Sequence, residues 1–368
     1  MTKAALWSYF ERRRIPTLAI GPGVTVPRRF SDPAAEHLAT RQAAGLFDFS
    51  FMGCAEIAGV EACDYLDYLQ TRNLAGLKPG RIAYTLLLHE DGSVLTDATV
   101  WNLGEGRFAL FVSRREDLAH LARLATGYSA TVVDRSTDHA VLALQGPEAG
   151  RILFECLAPE ALPPVAYYGF ASIALGRGHG WLARIGYSGE SGYELIVPRD
   201  AAQALWERLV AAGKPFRLAE CGFEAADTLR IEAGHLLFAR ELAAPVSPSE
   251  LALERLVEPY GRKFHGGAAL RKVPRKRLVG LLPYSRGSLT REQLTLVAGQ
   301  PPPRLREGAA VVTSTCFSPI FHAYLALGFV GPGDHYPGTR VTLGEELYAR
   351  VARLPFYDPA KLLARRAN

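Results

Sequence analysis

Arg184-Ile-Gly-Tyr-Ser-Gly-Glu-Ser-Gly-Tyr-Glu-Leu-Ile-Val197 is the stretch on which the reading turns. Its end, Tyr193 to Val197, is built of aromatic and branched apolar residues and predicts a strand. A carboxylate, Glu194, stands inside that apolar run. Placing a carboxylate between apolar neighbours is costly unless a partner answers it. Upstream, Gly186, Gly189 and Gly192 let backbone approach a neighbour closely. Tyr187 adds a ring and a hydroxyl. A flat heterocycle rich in nitrogen would satisfy this set.

Working outward, 368 residues predict two or three domains. A hydrophobic content of 48% is ample for sizeable cores and argues against global disorder. No apolar run approaches the roughly 20 residues that cross a bilayer. Met1 to Arg14, interrupted by Glu11 and three arginines, does not read as a signal peptide. Five cysteines, at 54, 63, 156, 221 and 316, form no CxxC pair. Their odd count and wide spacing suit reduced thiols and a cytoplasmic setting. A net charge of +5 and a pI near 8.9 favour an anionic substrate or cofactor tail. They are too mild to argue for nucleic acid. The densest basic stretch, Arg262 to Arg277, reads as a solvated face or linker, with a phosphate track as the alternative.

Pro33 to Ala44 predicts a helix capped by Ser31 or Asp32. Gly45 to Met52 then turns toward strand. Ala55 to Ala58 is a further strand and Ala62 to Gln70 a helix. Arg81 to His89 and Val94 to Asn102 predict a hairpin across Glu90-Asp91-Gly92. Arg107 to Val112 and a helix over Arg114 to Thr126 follow. Residues 51–137 therefore form one expected α+β domain. Ala140 to Leu144 opens a second set of strands, with Ile173 to Leu175, Trp181 to Ile185 and Glu194 to Val197. Its helices are Ala201 to Ala212 and Glu220 to Ala233. Beyond Leu278, short strands with Gly and Pro turns predict a small all-β module.

Several chemistries are argued against. There is no Walker A loop. Ile173-Ala-Leu-Gly-Arg-Gly-His-Gly180 mimics a dinucleotide turn but runs into another strand, so a hairpin is expected. Gly186-Tyr-Ser188-Gly189 lacks a nucleophile-elbow spacer. The nine histidines show no metal-ligand spacing, and no metal is expected. His235 and His322 read as structural.

Asp97 stands mid-strand, on one face with Leu95 and Thr99. It is either solvent-facing or part of a site. Arg230, near the end of a helix, either caps the helix dipole, pairs with Asp227 or Glu232, or meets an acidic ligand with its planar fork.

Eight segments in order together resemble one family. They are Gly45-Leu-Phe-Asp-Phe-Ser-Phe-Met52, Gly80-Arg-Ile-Ala-Tyr-Thr85, Gly92-Ser-Val-Leu-Thr-Asp97, Leu144-Gln-Gly-Pro147, Gly186 to Glu194, Asp227-Thr-Leu-Arg-Ile-Glu-Ala-Gly234, Phe317-Ser-Pro319 and Leu354-Pro-Phe356. The chain is similar to the tetrahydrofolate-dependent aminomethyltransferases. That family includes the glycine cleavage T-protein, the folate domain of dimethylglycine and sarcosine oxidases, and folate-dependent demethylases. The resemblance implies an α+β, three-domain cloverleaf around a folate hole. Residues 1–50 and 138–250 would form the central domain, 51–137 the second, and 278–368 a C-terminal β-barrel. It also implies roles. Glu194 would bind the pterin edge, where a ring N–H and an exocyclic amine lie side by side. Tyr187 and Tyr84 would line the pterin pocket. Asp97 matches the catalytic aspartate, and Arg230 the arginine that helps hold folate.

The chain also departs from T-proteins. Phe51 stands in Ser-Phe-Met where they commonly carry Ser-His-Met. Phe238-Ala-Arg-Glu241 replaces Tyr-Gly-x-Asp, and Thr313-Ser-Thr-Cys316 replaces Thr-Ser-Gly. The Gly-Trp-x-x-Pro segment has no counterpart in Ile15 to Arg29. These differences favour methyl transfer between a small-molecule donor and N5 of tetrahydrofolate. The alternatives are aminomethyl transfer from lipoylated H-protein and a non-catalytic folate-binding assembly factor. The last carries a cysteine motif that Arg184 to Glu190 lacks.

Overall fold

The computed structural model describes residues 5–21, 23–157, 162–175, 178–258, 261–270, 273–285, 289–344 and 346–366. Gly176 and Arg177 of the dinucleotide-like turn, and Arg271 and Lys272 of the basic stretch, lie outside them. The chain opens with α1 (Trp7–Arg12), a hairpin of β1 (Thr17–Gly21) and β2 (Val24–Pro27), then α2 (Pro33–Gln42) and β3 (Ala44–Asp48). Asp32 caps α2 by accepting from the Ala35 N–H at 3.0 Å. The capped helix leads directly into β3, which is buried along its whole length.

A second unit follows: β4 (Gly53–Ala58), α3 (Ala62–Leu69), β5 (Ile82–Leu88), β6 (Val94–Gly104), β7 (Arg107–Val112), α4 (Asp117–Leu124) and β8 (Thr131–Asp134). Its strands form one sheet in the order β5-β6-β7-β4-β8. The last helix starts later than the sequence predicts, because Arg114 and Arg115 stay in the bend before it. Strand alternation sorts β6 cleanly. Ala98 and Val100 pack under α3 and α4 with Leu66, Leu69 and Leu121. Trp101, on the Asp97 face, points the other way, into a core shared with Phe47, Ala143 and Leu229.

The chain then returns as β9 (His139–Gln145), α5 (Ala149–Leu157), β10 (Phe170–Leu175), β11 (Gly178–Ala183), β12 (Gly192–Pro198), α6 (Ala202–Gly213), β13 (Leu218–Glu220) and α7 (Phe223–Glu232). The sheet order is β10-β11-β12-β9-β3-β13, with β13 parallel to β3. Glu220 therefore belongs to a strand rather than to the helix predicted from it. β10 and β11 pair antiparallel, the hairpin expected in place of a dinucleotide turn. One face of this sheet packs Leu142, Leu144, Leu195 and Val197 on Ile152, Leu205 and Trp206. The other face meets the second unit. Two sheets thus oppose each other, and the strands that carry Glu194 and Asp97 both contribute to the space between.

The last part, β14 (Arg277–Ser285), α8 (Arg291–Val297), β15 (Ala310–Ser318), β16 (Ala323–Val330), β17 (Arg340–Gly344) and β18 (Leu347–Ala352), forms a five-stranded sheet in the order β15-β16-β14-β18-β17. A parallel bridge from Ala309 to Thr342 brings its edges together, so the sheet curls into a barrel around Leu281, Val312, Ala326 and Val351. Among the described residues no helix is long and apolar enough to cross a membrane.

Candidate functional site

Between the two opposed sheets lies a cavity of about 370 Å3. Tyr84, Asp97, Tyr187 and Glu194 all line it. Glu194 arrives there by the period of its strand. It shares a face with Ile196, which is packed in the core between the sheets. Its cross-strand neighbours on either side are Ala183 and Ala143. Both are too small to cover it, so its carboxylate is left facing the cavity. No hydrogen bond or ion pair reaches that carboxylate from the described residues, and Glu194 is only 6% exposed. Burial alone pushes its carboxyl up to about 7.

Asp97 is held differently. The Tyr84 hydroxyl donates to Oδ2 at 3.0 Å and the Ser113 hydroxyl to Oδ1 at 2.9 Å. Burial raises its carboxyl, and these two hydrogen bonds pull the other way. Tyr84 is pushed well above the ordinary phenol range, by burial first and then by the charge of Asp97. The Tyr84 phenol therefore stays protonated and donates to Asp97. Tyr187 is fixed by its hydroxyl, which donates to the Leu236 carbonyl. Its ring stacks on His235, with centroids 5.6 Å apart, and meets Phe49 edge-on. Burial, with the charges of Lys361, Arg230 and Arg41, pushes His235 down to about 3, so its imidazole is neutral.

The remaining wall is aromatic: Phe49, Phe51, Phe111, Phe223 and Phe238. Arg255 and Lys361 add basic charge on the side of the C-terminal segment. That segment, through Leu354, Pro355, Tyr357 and Asp358, closes part of the cavity. Neither Tyr357, His235 nor Lys361 was found from sequence as a site residue. Leu354-Pro-Phe356 carried a signal as a motif, but its neighbour Tyr357 did not. Among the described residues no group of three or more His, Cys, Asp or Glu side chains could hold a metal ion.

Arg230 is not part of the cavity wall. Its side chain is completely buried. Nε pairs with Asp227 Oδ1 at 2.8 Å, Nη1 with Glu241 Oε2 at 2.9 Å and with the His235 carbonyl at 3.1 Å, and Nη2 with Ser314 Oγ at 2.7 Å. The fork that the sequence offered to an acidic ligand is spent on the protein. It binds both ends of the loop from His235 to Glu241, which supplies His235, Leu236, Leu237 and Phe238 to the wall. Glu241 Oε1 in turn accepts from Thr313 and Ser314. One of the departures noted in the sequence, Glu241, therefore sits in a buried cluster with Arg230, Thr313 and Ser314.

Comparison with known proteins now decides the family. Residues 9–260 match the GCVT N-terminal domain, and residues 276–358 match the glycine cleavage T-protein C-terminal barrel domain. The chain belongs to the glycine cleavage T-protein family. Membership makes it a folate-dependent one-carbon transferase. The aminomethyltransferase of Streptomyces coelicolor is 35% identical, over 92% of this chain and 93% of that one. That of Geobacillus kaustophilus is 33% identical, over 98% of this chain and all of the relative. The crystal structure of glycine cleavage system aminomethyltransferase T from Bartonella henselae superposes with a TM-score of 0.80 at 29% identity, covering 96% of this chain and 98% of that one. The family expected from the eight segments is the one found, and the α+β architecture ending in a barrel is the family's.

Proposed function

We propose that the cavity between the two sheets takes the pterin of tetrahydrofolate, and that the chain passes the carbon of an aminomethyl group to it, the amine leaving as ammonia. The observation that carries the first part is Glu194. It is a buried carboxylate with no partner among the described residues, on the wall of a cavity large enough for a bicyclic ring. A pterin edge offers the two adjacent donors that such a carboxylate accepts. Tyr187 and the phenylalanines supply flat apolar contact, and Arg255 and Lys361 suit an anionic glutamate tail. The fit is chemical: an orphaned acceptor, ring-matched walls and a basic side.

In this reading Asp97, held by Tyr84 and Ser113, faces the reacting nitrogens. It orients N5 and stabilises positive charge that develops on nitrogen as carbon moves. Arg230 acts through the 235–241 loop rather than by touching folate.

The donor is the point on which sequence and comparisons pull apart. Departures from T-proteins favoured a small methylated molecule. The relatives' names support aminomethyl transfer better, over nearly the whole chain. The burial of Glu241 against Arg230 removes one of those departures from the donor side, while Phe51 and Phe238 stand on the cavity wall. The test is two anaerobic incubations with tetrahydrofolate, one with aminomethylated lipoyl H-protein and one with small N-, O- or S-methyl donors. Methylene-tetrahydrofolate and ammonia in the first tube support the proposal. Methyl transfer in the second tube, with the first silent, overturns the aminomethyl half of it.

A further inference from the structure

Arg41, at the end of α2, does not line the cavity, yet its guanidinium touches five residues in three parts of the chain. Nε and Nη2 donate to Glu232 Oε2 at 3.1 and 2.6 Å. Nη1 donates to the Ser188 carbonyl and to Glu190 Oε1, both at 2.9 Å. Nη2 also reaches the Leu229 carbonyl at 3.5 Å. The flat face of the group lies on the Tyr357 ring, 3.8 Å from its centroid. Every N–H of the fork has an acceptor and its plane has a ring. The side chains of Arg41, Glu190 and Glu232 are at most 4% exposed.

The partners matter because of what they adjoin. Glu190 and Tyr357 themselves line the cavity. Ser188 and Glu190 sit in the turn between Tyr187 and Glu194. Tyr357 belongs to the C-terminal segment that closes the cavity, and burial, with the charge of Glu190, raises its phenol. Its backbone N–H donates to the Glu232 carbonyl at 2.9 Å. Glu232 is completed by His37 Nε2, 2.9 Å from both oxygens, and by the Ser318 hydroxyl. A single cation thus sets the glycine-rich turn and the closing segment against each other across helix α7.

We propose that Arg41 is a positioning residue for the substrate cavity: it fixes the separation of the Tyr187–Glu194 turn from the Tyr357 segment, and so the width of the slot that the pterin enters. The proposal rests on the reading that this cavity takes tetrahydrofolate. A lysine at the same place would keep the charge but has neither the plane nor the five donors. It would leave Ser188 or Glu190 unheld and Tyr357 unstacked. The cluster would survive, since Glu232 keeps His37 and Ser318.

The test is calorimetric titration of tetrahydrofolate, under anaerobic conditions, into wild type, Arg41→Lys, Tyr357→Leu and Glu194→Gln. Thermal unfolding reports how much of each is folded. The expected result is a Kd about tenfold weaker for folded Arg41→Lys, and a loss in the same direction for Tyr357→Leu. A purely structural Arg41 would lower the Tm and leave the Kd of the folded protein unchanged, which overturns the proposal. If Arg41→Lys fails to fold, Tyr357→Leu decides: unchanged affinity there overturns it as well. Glu194→Gln separates the two levels. If it binds like wild type, the reading of the cavity fails. If it binds weakly while Arg41→Lys binds normally, only the positioning role fails.

Discussion

Lowering the pH from 8 to 6 should weaken tetrahydrofolate binding about tenfold, and Glu194 sets the size of the effect. Its carboxyl titrates near 7 in the free protein because burial opposes its charge and nothing nearby supports it. A pterin edge bonds to the ionised form, so binding requires the proton to leave. The apparent Kd then scales as one plus the ratio of protonated to ionised Glu194. That factor is about 11 at pH 6 and about 1.1 at pH 8. The same shift fixes the sign for the free protein. Between the ordinary value of 4.5 and about 7, the folded state holds more protons than the unfolded one. This group's contribution to stability therefore falls as pH rises through that window and is flat above it. Ligand-induced gain in Tm should accordingly be larger at pH 8 than at pH 6. Calorimetry in buffers of different ionisation enthalpy should record release of close to one proton at pH 6. Glu194→Gln should abolish the slope and weaken binding at pH 8 by about ten- to a hundredfold, the loss of a charge-assisted pair. Burial also raises Asp97, so the profile is repeated in Asp97→Asn to leave Glu194 alone. A Kd that is flat from pH 6 to 8 in that background would refute the reasoning.

Asp97→Asn itself should lower the rate of carbon transfer about a hundredfold while changing folate affinity by less than about threefold; transfer at the wild-type rate in single-turnover measurements would remove Asp97 from the chemistry. Arg230→Met should destabilise the fold by about 3–5 kcal/mol, because it strands Glu241 in the interior. Urea unfolding measures this, and an unchanged midpoint would show that Glu241 finds other support. Gly186→Ala would build a Cβ within 1.9 Å of Gln145 Oε1. Gln145 is not free to move, since the Ser188 hydroxyl donates to that same oxygen at 2.8 Å. Overpacking of about 1–3 kcal/mol is expected, with tetrahydrofolate binding weakened at the same time; thermal unfolding and the same titration check both.

The strands of this molecule were legible because their signals are local. Burial alternates strictly from Val94 to Val100, as the two-residue period of a strand requires, and the period that set Asp97 apart from Ala98 and Val100 is the one that turns it toward the cavity. Glu194 was conspicuous for a related reason, as a charge in an apolar run. What escaped was non-local or too short. β13 is three residues long and exists through its parallel pairing with β3. Tyr357 and Lys361 come to the cavity from the far end of the chain, and no spacing records that. Arg230 was legible as important but not as to what it touches. A helix period places an arginine on a face without saying that Asp227, Glu241 and Ser314 will exhaust its donors. The donor lay furthest from reach, since Glu241, one of the residues that set this chain apart, is buried against Arg230, Thr313 and Ser314.

β3 is hydrogen-bonded to β9, and the whole β4–β8 unit lies between them in the chain. During synthesis, β3 must wait for some ninety residues before its neighbour exists, an interval of several seconds at ordinary elongation rates. The intervening unit has all its own strand partners and can close first. The six-stranded sheet is a late assembly, completed only when β13 docks beside β3. The cavity, which needs both sheets, is therefore among the last features to appear, and a ribosome-stalled chain ending before Leu218 should contain a folded second unit without a substrate site.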